Sequence, residues 1–402
     1  MRILLLSQVF PYPPYDGNIL PIHHFLRCLA PRAQFTLLTR EPADAGLRSE
    51  ALALWESWGV RARLVRCPVR SGAAQAWACL RGGRPWINRF FSPELAAAAA
   101  ELLARERFDL IQSEGVLSAQ HLPAAPPARR LLVARDCLSL AHWRAWRAGH
   151  SPREALGAIK IAQMERTLYR RADRILAISP TDAEAIRRLA PSARIEVLPN
   201  GVDLDQFRPR PELEQPGVVA FTGAMDFAPN VEAAVWFGRE IWPGAVRRVP
   251  SARLRIIGRD PVPAVLALAA DPSIEVTGRV ERMEEEAARA QVIVSPLRRG
   301  TGIKNKVLEG AALARALVVS PVSLADIDLR PGRELELAES AGEFIEQTAS
   351  LLSDPARRRA LGQAARSAVE QRYGWSAMAE RLWGHYGELV GGGDVASAKN
   401  RA

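Results

Sequence analysis

The residue types best suited to chemistry lie in one short stretch, residues 295–309 (SPLRRGTGIKNKVLE). An apolar, β-branched run at 291–296 is typical of a buried strand, whereas the pattern at 306–315 is typical of a helix. Gly300 and Gly302 let the backbone approach a ligand closely, and the first amides of a helix attract anions. The pattern therefore predicts a phosphate-binding site, and a solvated loop is the alternative.

Lysine usage supports the phosphate interpretation. The chain has only four lysines against a large excess of arginine, and two of them, Lys304 and Lys306, lie in this stretch. A lysine ammonium binds phosphate as a compact point charge, whereas arginine presents a flat fork. Arg298 and Arg299 lie just upstream, where they are expected to assist the two lysines.

Length and composition limit the class of protein. With 402 residues the chain fits two domains, and 48% hydrophobic with 24% charged residues is typical of a globular protein. The apolar run at the N-terminus is short, is interrupted by Ser7 and Gln8, and lacks a signal-peptide cleavage site, so it predicts a first strand. No apolar run reaches the ~20 residues that span a bilayer. A cytoplasmic protein is therefore expected.

The net charge of +10 narrows the choice of partners. The basic residues are scattered and no nucleic-acid motif is present, so nucleic acid is not predicted. Residues 143–147 (WRAWR) combine aromatic and basic side chains, which predicts a peripheral contact with the inner membrane; an ordinary surface loop or helix end is the alternative. The cysteines form no C-x-x-C pair, and no metal site is predicted.

Short apolar segments alternate with helical patterns along the chain. The predicted strands are 2–7, 34–39, 109–113, 130–134 and 174–179 in the N-terminal half, and 218–223, 254–258, 274–278, 292–295 and 316–320 in the C-terminal half. Such alternation predicts parallel, doubly wound α/β sheets. Three of the C-terminal strands end on glycine, which leaves room for a ligand at the carboxyl edge of that sheet.

The order of these elements predicts a domain division. Residues 1–200 are expected to form an N-terminal domain, 201–217 a proline-rich linker, and 218–375 a C-terminal domain. A helix at 376–390 is expected to pack back toward the N-terminal domain. The glycine-rich, polar tail at 391–402 is expected to be disordered.

Five motifs stand out from this background. They are 13–18 (PPYDGN), 172–179 (ADRILAIS), 198–203 (LPNGVD), 221–232 (FTGAMDFAPNVE) and 300–309 (GTGIKNKVLE). Together they resemble the retaining, nucleotide-sugar-dependent glycosyltransferases of family 4, most of all the bacterial exopolysaccharide-type enzymes. The resemblance covers nearly the whole chain, and the last two motifs are the most specific. It implies the GT-B fold, with two doubly wound, Rossmann-like domains facing across a cleft, an acceptor-side N-terminal domain and a donor-binding C-terminal domain.

The resemblance assigns roles to residues of these motifs. Glu309 matches a glutamate that accepts hydrogen bonds from the donor ribose, and a carboxylate can accept from both hydroxyls of a diol. Lys304 and Lys306 would neutralise the donor diphosphate, and Gly17 would let the N-terminal loop approach the same phosphates, so that no metal or other cofactor is needed. The other predicted donor-binding residues are Asn18, Gly223, Arg298, Gly300, Thr301, Gly302, Ile303 and Asn305.

The chain departs from the family pattern at three positions. Thr301 stands where the family has the first glutamate of its pair, which faces the donor sugar, so the contact with the sugar differs. The family's usual arginine and lysine after the first strand of this domain are missing, since Ala224 follows Gly223 where an arginine is common, so the cationic role passes to Lys304 or Lys306. Asp136 replaces a histidine near the donor sugar, and it either contacts a sugar hydroxyl or caps the following helix.

Two further features are interpreted as structural. His23 and His24 are consecutive residues of a predicted helix, so their side chains diverge by about 100° and do not easily share a metal. Glu165 lies in a predicted helix that runs to residue 172, and the pattern indicates a surface glutamate on a charged helix.

These observations predict a metal-independent, hexosyltransferase-type enzyme. It would move a sugar from a nucleoside diphosphate sugar to a glycan or lipid-linked acceptor, with retention, in exopolysaccharide or other surface polysaccharide biosynthesis. Two alternatives stay open: a nucleotide-sugar epimerase or hydrolase on the same fold, which needs a poised acid and base, and a catalytically silent scaffold that binds nucleotide sugar or partner enzymes in a polysaccharide assembly complex. Donor turnover separates enzyme from scaffold, and acceptor dependence separates transfer from epimerisation.

Overall fold

The computed structural model describes residues 1–14, 19–81, 90–149, 152–300 and 302–391. The chain divides into two compact units. The first unit comprises Met1–Pro199 and Met378–Ala402, and the second comprises Asn200–Ala377.

A parallel sheet forms the centre of the first unit. Its strands, among the residues described, are β1 (Arg2–Ser7), β2 (Gln34–Arg40), β3 (Arg61–Val65), β4 (Leu110–Glu114), β5 (Arg129–Ala134), β6 (Arg174–Ala177) and β7 (Ile195–Val197). They lie in the order β3-β2-β1-β4-β5-β6-β7. The order reverses between β1 and β4, where Leu5 pairs with Gln112. The central strands β1, β4 and β5 are buried along most of their length because helices cover both faces of the sheet.

The helices of the first unit connect these parallel strands. They are α1 (Leu20–Leu29), α2 (Ala45–Ser57), α3 (Gly72–Arg81), α4 (Pro93–Arg105), α5 (Val116–Ala119), α6 (Leu138–Gly149), α7 (Pro152–Arg171) and α8 (Pro180–Leu189). Several begin at a side-chain cap: Asp44 caps α2, Ser92 caps α4 and Ser179 caps α8. Among the described residues no helix is long and apolar enough to cross a membrane.

The C-terminal segment of the chain completes the first unit. Helix α17 (Trp375–Gly391) places Tyr386 in the core, where its hydroxyl donates to the Gln112 side chain on β4. Arg174 on β6 donates to Glu388 of the same helix at 2.5 Å. The first unit is therefore built from two chain segments that are far apart in sequence.

A second parallel sheet forms the centre of the second unit. Its described strands are β8 (Val218–Thr222), β9 (Arg253–Ile257), β10 (Ile274–Gly278), β11 (Val292–Ser295), β12 (Ala316–Val319) and β13 (Glu336–Leu337), in the order β10-β9-β8-β11-β12-β13. Alternate residues of β8 enter the two apolar clusters of this unit, since Val219 and Phe221 pack in one and Val218 and Ala220 in the other. Both faces of the sheet are buried.

Helices pack on both faces of the second sheet. They are α9 (Ala228–Trp236), α10 (Trp242–Arg248), α11 (Pro263–Leu266), α12 (Met283–Ala288), α13 (Asn305–Ala312), α14 (Pro321–Leu324), α15 (Ala341–Ser353) and α16 (Pro355–Arg372). A π-helical segment, Phe237–Ile241, links α9 to α10. The predicted α/β class with two doubly wound parallel sheets is confirmed.

The ten predicted strands are all present, and three short or half-exposed strands, β3, β7 and β13, were not predicted. The segment predicted as a linker, 201–217, belongs to the second unit, where Val202 forms a bridge with Gly374 and Phe207 is buried. The predicted tail from residue 392 onward lies outside the described residues.

Candidate functional site

The candidate site lies at the carboxyl edge of the second sheet, where β11 leads into α13. Strands β8 and β11 are neighbours there, and the strand order reverses between them. Ligands of open α/β sheets bind at such a switch point because the chain leaves the two strands in opposite directions and opens a crevice. The loop from Leu297 to Lys304 and the residues after β8 border this position.

Glycines let the backbones meet closely at this edge. Gly223 follows β8, and a Cβ there would lie 2.8 Å from Lys306 Nζ and 2.7 Å from Asn230 Nδ2. Gly258 follows β9, and its Cβ would lie 1.7 Å from the Gly223 carbonyl oxygen. A side chain at either position would displace a polar group or a strand end, so glycine is required by space.

Lys306 is the cation that points to this gap. Its Nζ donates to Asn230 Oδ1 at 2.8 Å and lies 4.3 Å from the centre of the Phe221 ring. Burial lowers the pKa of Lys306 to about 7, the nearby Glu309 carboxylate opposes that change, and Lys304 adds to it. The charge on Lys306 therefore depends on what binds beside it.

Glu309 follows Lys306 by three residues, so the two side chains lie on one face of α13. Burial raises the pKa of Glu309 to about 7, and the charge of Lys306 acts in the opposite direction. A partly buried carboxyl on the helix that begins beside the glycines is placed to accept hydrogen bonds from a polar ligand.

Lys304 is the N-cap residue of α13 and supplies no capping side chain. Its Nζ donates to the Gly302 carbonyl at 2.6 Å, and a Cβ on Gly300 would lie 3.3 Å from its Cε atom. The amides at the start of a helix have no partner within the helix and carry partial positive charge. Two lysines and these amides therefore surround one helix start.

The remaining predicted residues of this loop contact different parts of the second unit. Arg298 lies over the Trp236 ring at 5.3 Å, and Arg299 pairs with Glu232 at 2.5 Å. Ile303 packs at the edge of an apolar cluster, and Asn305 Oδ1 accepts from Asn200 Nδ2 at 3.5 Å. The predicted residues Gly17, Asn18 and Thr301 lie outside the described residues.

Asp136 belongs to the first unit and is partly buried just after β5. The amides of Leu138 and Ser139, which open α6, both donate to Glu165, at 2.7 and 3.2 Å. The Cys137 amide donates to Asp182 at 3.1 Å. Glu165 therefore accepts the amides that open α6, and both predicted roles of Asp136 stay predictions.

The prediction that Glu165 is a surface residue is wrong. Its side chain is fully buried on the inner face of α7, and it also accepts from Tyr169 Oη at 3.1 Å. Burial raises its pKa, while the hydrogen bonds from Ser139, Leu138 and Tyr169 act in the opposite direction. Because Glu165 is surrounded in sequence by other charged residues of α7, the pattern did not indicate that its side chain faces inward.

Sequence reasoning also missed Asn230 and Phe221 as neighbours of Lys306. Both lie in the 221–232 motif, which was recognised without a role for either residue. The signal that could have found them is that this motif begins at the end of β8 and the lysine motif follows β11, and the two strands are neighbours at the switch point.

One group of described residues has the composition of a metal site: Glu196, His385 and Glu388 in the first unit. The guanidinium of Arg174 donates to His385 Nδ1 at 2.9 Å and to Glu388 at 2.5 Å, and lies 3.3 Å from Glu196. Arginine therefore supplies the positive charge at the centre of this group.

Family models match both halves of the chain. The model described as Glycosyltransferase Family 4 matches residues 22–206, and the model described as Glycosyl transferases group 1 matches residues 216–354. The chain belongs to the family 4 glycosyltransferases. The resemblance to glycosyltransferase family 4 is confirmed, and the candidate site lies in the half that the group 1 model matches.

A curated relative of this glycosyltransferase comes from Corynebacterium glutamicum. It is a GDP-mannose-dependent monoacylated alpha-(1-6)-phosphatidylinositol monomannoside mannosyltransferase, 28% identical over 207 residues. The match covers 46% of this chain and 54% of the relative, so it spans about half the length of each protein.

Solved structures of low sequence identity share the fold of this glycosyltransferase. Anabaena Alr3699/HepE, determined in complex with UDP and glucose, has a TM-score of 0.67 at 14% identity, and the match covers 97% of this chain and 100% of that chain. Sucrose-phosphate synthase from Thermosynechococcus elongatus has a TM-score of 0.70 at 16% identity, with 97% and 99% covered. These likenesses confirm the predicted GT-B fold.

Proposed function

We propose that this glycosyltransferase transfers a hexose from a nucleoside diphosphate sugar to a hydroxyl of a glycan or lipid-linked acceptor, with retention at the anomeric carbon. The observation that carries the proposal is the placement of Lys304 and Lys306 at the start of α13, where the N-cap side chain makes no capping hydrogen bond, beside the gap at Gly223. A diphosphate matches this arrangement of ammonium groups, helix amides and close-approaching backbone.

The chemistry of the site is charge stabilisation. As the bond between the anomeric carbon and the phosphate oxygen breaks, the leaving diphosphate gathers negative charge, and fixed cations stabilise the transition state more than the ground state. The acceptor oxygen then bonds to the anomeric carbon on the same face, and its proton passes to the departing phosphate oxygen. In this proposal the lysines supply the charge that a divalent metal supplies in other transferases, and Glu309 binds the ribose hydroxyls.

The known relatives support the choice of substrates. HepE was determined with UDP and glucose, and the Corynebacterium relative is named as a GDP-mannose-dependent mannosyltransferase acting on a phosphatidylinositol mannoside. Both sugars are hexoses, and one acceptor is lipid-linked. We infer that this enzyme acts in exopolysaccharide or other surface polysaccharide biosynthesis, with Asp136 near the sugar.

The test is thermal stabilisation of the purified protein by a panel of UDP-, GDP-, ADP- and dTDP-sugars, with and without a chelator. A ligand that binds the native state raises the unfolding temperature by mass action. We expect a selective shift that the chelator leaves unchanged and that Glu309→Ala removes. The matched control is Glu346→Ala, which changes an exposed glutamate of α15 in the same unit. No shift with any nucleotide sugar would contradict the proposal and favour a scaffold that binds partner enzymes.

We further propose a peripheral contact with the cytoplasmic face of the inner membrane through helices α6 and α7. Trp143 on α6 is 40% exposed, and Leu156 and Ile159 on α7 are 54% and 56% exposed. The helices touch nearby, since a Cβ on Gly157 would lie 3.4 Å from the His142 ring. Exposed apolar side chains together with the basic residues of both helices suit an anionic lipid surface.

Flotation with phosphatidylglycerol and phosphatidylcholine vesicles tests the membrane contact. We expect binding to the anionic vesicles only, and a loss of about tenfold when Leu156 and Ile159 are both changed to serine. Leu266→Ser, at a residue that is 49% exposed on α11 of the second unit, is the control. Equal binding by the two variants would overturn this surface.

A further inference from the structure

Asn230 links three parts of the second unit at the candidate site. The side chain is buried near the start of α9, its Nδ2 donates to the Ala224 carbonyl at 2.9 Å, and its Oδ1 accepts from Lys306 Nζ at 2.8 Å. One amide therefore ties the turn after β8 to the lysine of α13. Both ends of this amide are occupied, so its orientation is fixed.

Two groups, Glu309 and Asn230, compete for the Lys306 ammonium. Glu309 lies on the same face of α13 and attracts the ammonium electrostatically, yet the hydrogen bond of Lys306 goes to Asn230. A bond to Asn230 keeps Nζ at the end of β8, 2.8 Å from where a Cβ on Gly223 would stand. A hydrogen bond to Glu309 would instead move Nζ along α13, and the Glu309 carboxylate would neutralise the ammonium.

The contacts that hold Nζ are uncharged. Asn230 accepts one hydrogen bond and the face of the Phe221 ring attracts the cation, and neither contributes a negative charge. The charged groups that act on Lys306 are Glu309 on the same helix and Lys304 before it, with opposite effects. An ammonium held by neutral groups keeps its charge available for an anion that arrives from solvent.

We propose that Asn230 is a positioning residue for recognition of the donor diphosphate: it holds the Lys306 ammonium in the gap left by Gly223 without neutralising it. The inference rests on the proposed function, because it concerns the group that the lysine meets. It adds a residue that acts through Lys306 and itself touches neither sugar nor nucleotide.

A consequence of this arrangement is a pH dependence of donor binding. Because burial lowers the pKa of Lys306 to about 7, the lysine loses its proton as the pH rises above that value. The diphosphate of a nucleotide sugar keeps its charge from about pH 6 to about pH 9, so the change in affinity reports on the protein. Glu309 also has a pKa raised to about 7, so the comparison is made in Glu309→Gln protein, where we expect the affinity to fall by up to about tenfold per pH unit above neutrality, by linkage to one proton.

The first measurement needs no ligand. Lys306 is one of four lysines, so protein carrying ¹³C-labelled lysine gives few side-chain signals, and Lys306→Met identifies the relevant one. We expect Asn230→Asp to shift the midpoint of the Lys306 titration upward by about one pH unit, because it places a carboxylate against the amine. We expect Asn230→Ala to shift the midpoint downward, since the ammonium loses the hydrogen bond that favours its charged form.

The second measurement is the dissociation constant of UDP-glucose and of GDP-mannose by calorimetry across the same pH range. Asn230→Ala should weaken binding about tenfold at pH 6, and Asn230→Asp should weaken it similarly while moving the fall in affinity to higher pH. The matched control is Asn200→Ala, which removes a buried asparagine that bonds to Asn305 and should leave the Lys306 midpoint unchanged.

The outcomes separate the two proposals. If the Lys306 midpoint is the same in wild type, Asn230→Asp and Asn230→Ala, with only the unfolding temperature lowered, Asn230 is structural and the inference is overturned. If the midpoint moves but wild-type protein binds neither nucleotide sugar at any pH, the proposed donor is wrong, and the diphosphate part of the inference falls with it.

Discussion

Two corners of this glycosyltransferase have the same topology and opposite chemistry. At each, a parallel strand ends and a helix begins: β5 leads to α6 in the first unit, and β11 leads to α13 in the second. In the first corner Glu165 and Asp182 accept the backbone amides at the helix start. In the second, the N-cap residue is Lys304, whose side chain makes no capping hydrogen bond.

The difference shows how a fold decides where an anion can bind. A helix start attracts negative charge wherever it occurs. Where the chain provides its own carboxylate, as Glu165 does for α6, that attraction contributes to stability. Where the chain provides lysines and glycines, as at α13, we propose that the attraction is left for an anion from solvent. We call the junction of β5 and α6 the filled corner and the junction of β11 and α13 the open corner. We therefore expect changes at the filled corner to alter folding and changes at the open corner to alter catalysis.

The largest expected effect is at the open corner. Lys306→Ala should lower kcat by about 10² to 10³-fold, because it removes a fixed cation from the leaving diphosphate. Steady-state kinetics with the donor found in the thermal panel provides the measurement. Arg333→Ala, at an exposed residue of the same unit, should retain wild-type turnover. A Lys306 variant with unchanged kcat would remove the contrast between the corners.

The next effect is at the filled corner. Glu165→Ala should lower the free energy of unfolding by about 3 kcal/mol, because it leaves the amides of Leu138 and Ser139 and the Tyr169 hydroxyl without their acceptor. Urea unfolding measures this loss. Gln163→Ala, at an exposed residue of the same helix, is the control and should cost less than about 0.5 kcal/mol.

A smaller effect is expected from filling the gap at the open corner. Gly223→Ala should weaken donor binding about tenfold, since the new Cβ would displace either Lys306 Nζ or the Asn230 amide. Calorimetry with the donor measures it. A Cβ on Gly384 of α17 meets nothing within 4 Å, so Gly384→Ala should leave donor binding unchanged. Wild-type affinity in the Gly223→Ala variant would show that donor binding does not require Lys306 Nζ beside Gly223.

The smallest effect is a pH dependence of stability at the filled corner. Burial raises the pKa of Glu165 above its ordinary value of 4.5, so between that value and the raised pKa the folded protein holds a proton that the unfolded chain releases. Stability should therefore fall as the pH rises through this window, by at most about 1.4 kcal/mol per pH unit. Comparing urea unfolding of wild type and Glu165→Gln at several pH values isolates this dependence, which the Gln variant should lack.

Much of the fold was predictable because its central strands are buried on both faces. Such strands appear in sequence as short, continuous apolar runs, as in β1 and β11. The strands β7 and β13 have three and two residues and include glutamates, so they carry no such signal. Their pairing is decided by the neighbouring strand.

The site was predictable only where its residues are close in sequence. The glycines, lysines and glutamate of 300–309 form one continuous pattern, and their chemistry could be proposed from that pattern alone. The bond from Lys306 to Asn230 joins residues 76 positions apart, and it depends on how β8 and β11 pair. Glu165 was misread for a related reason, since only tertiary packing shows which face of α7 is buried.

Helix α17 has a consequence for how the protein is made. A ribosome must finish the second unit before it synthesises Tyr386 and Glu388, which contact the sheet of the first. Translation of the intervening residues 200–377 takes about 10 to 40 seconds at ordinary rates. For that time the surface that will receive Leu382 and Tyr386 lacks its cover. The first unit, which contains the N-terminus, is therefore completed only after the second unit has been synthesised.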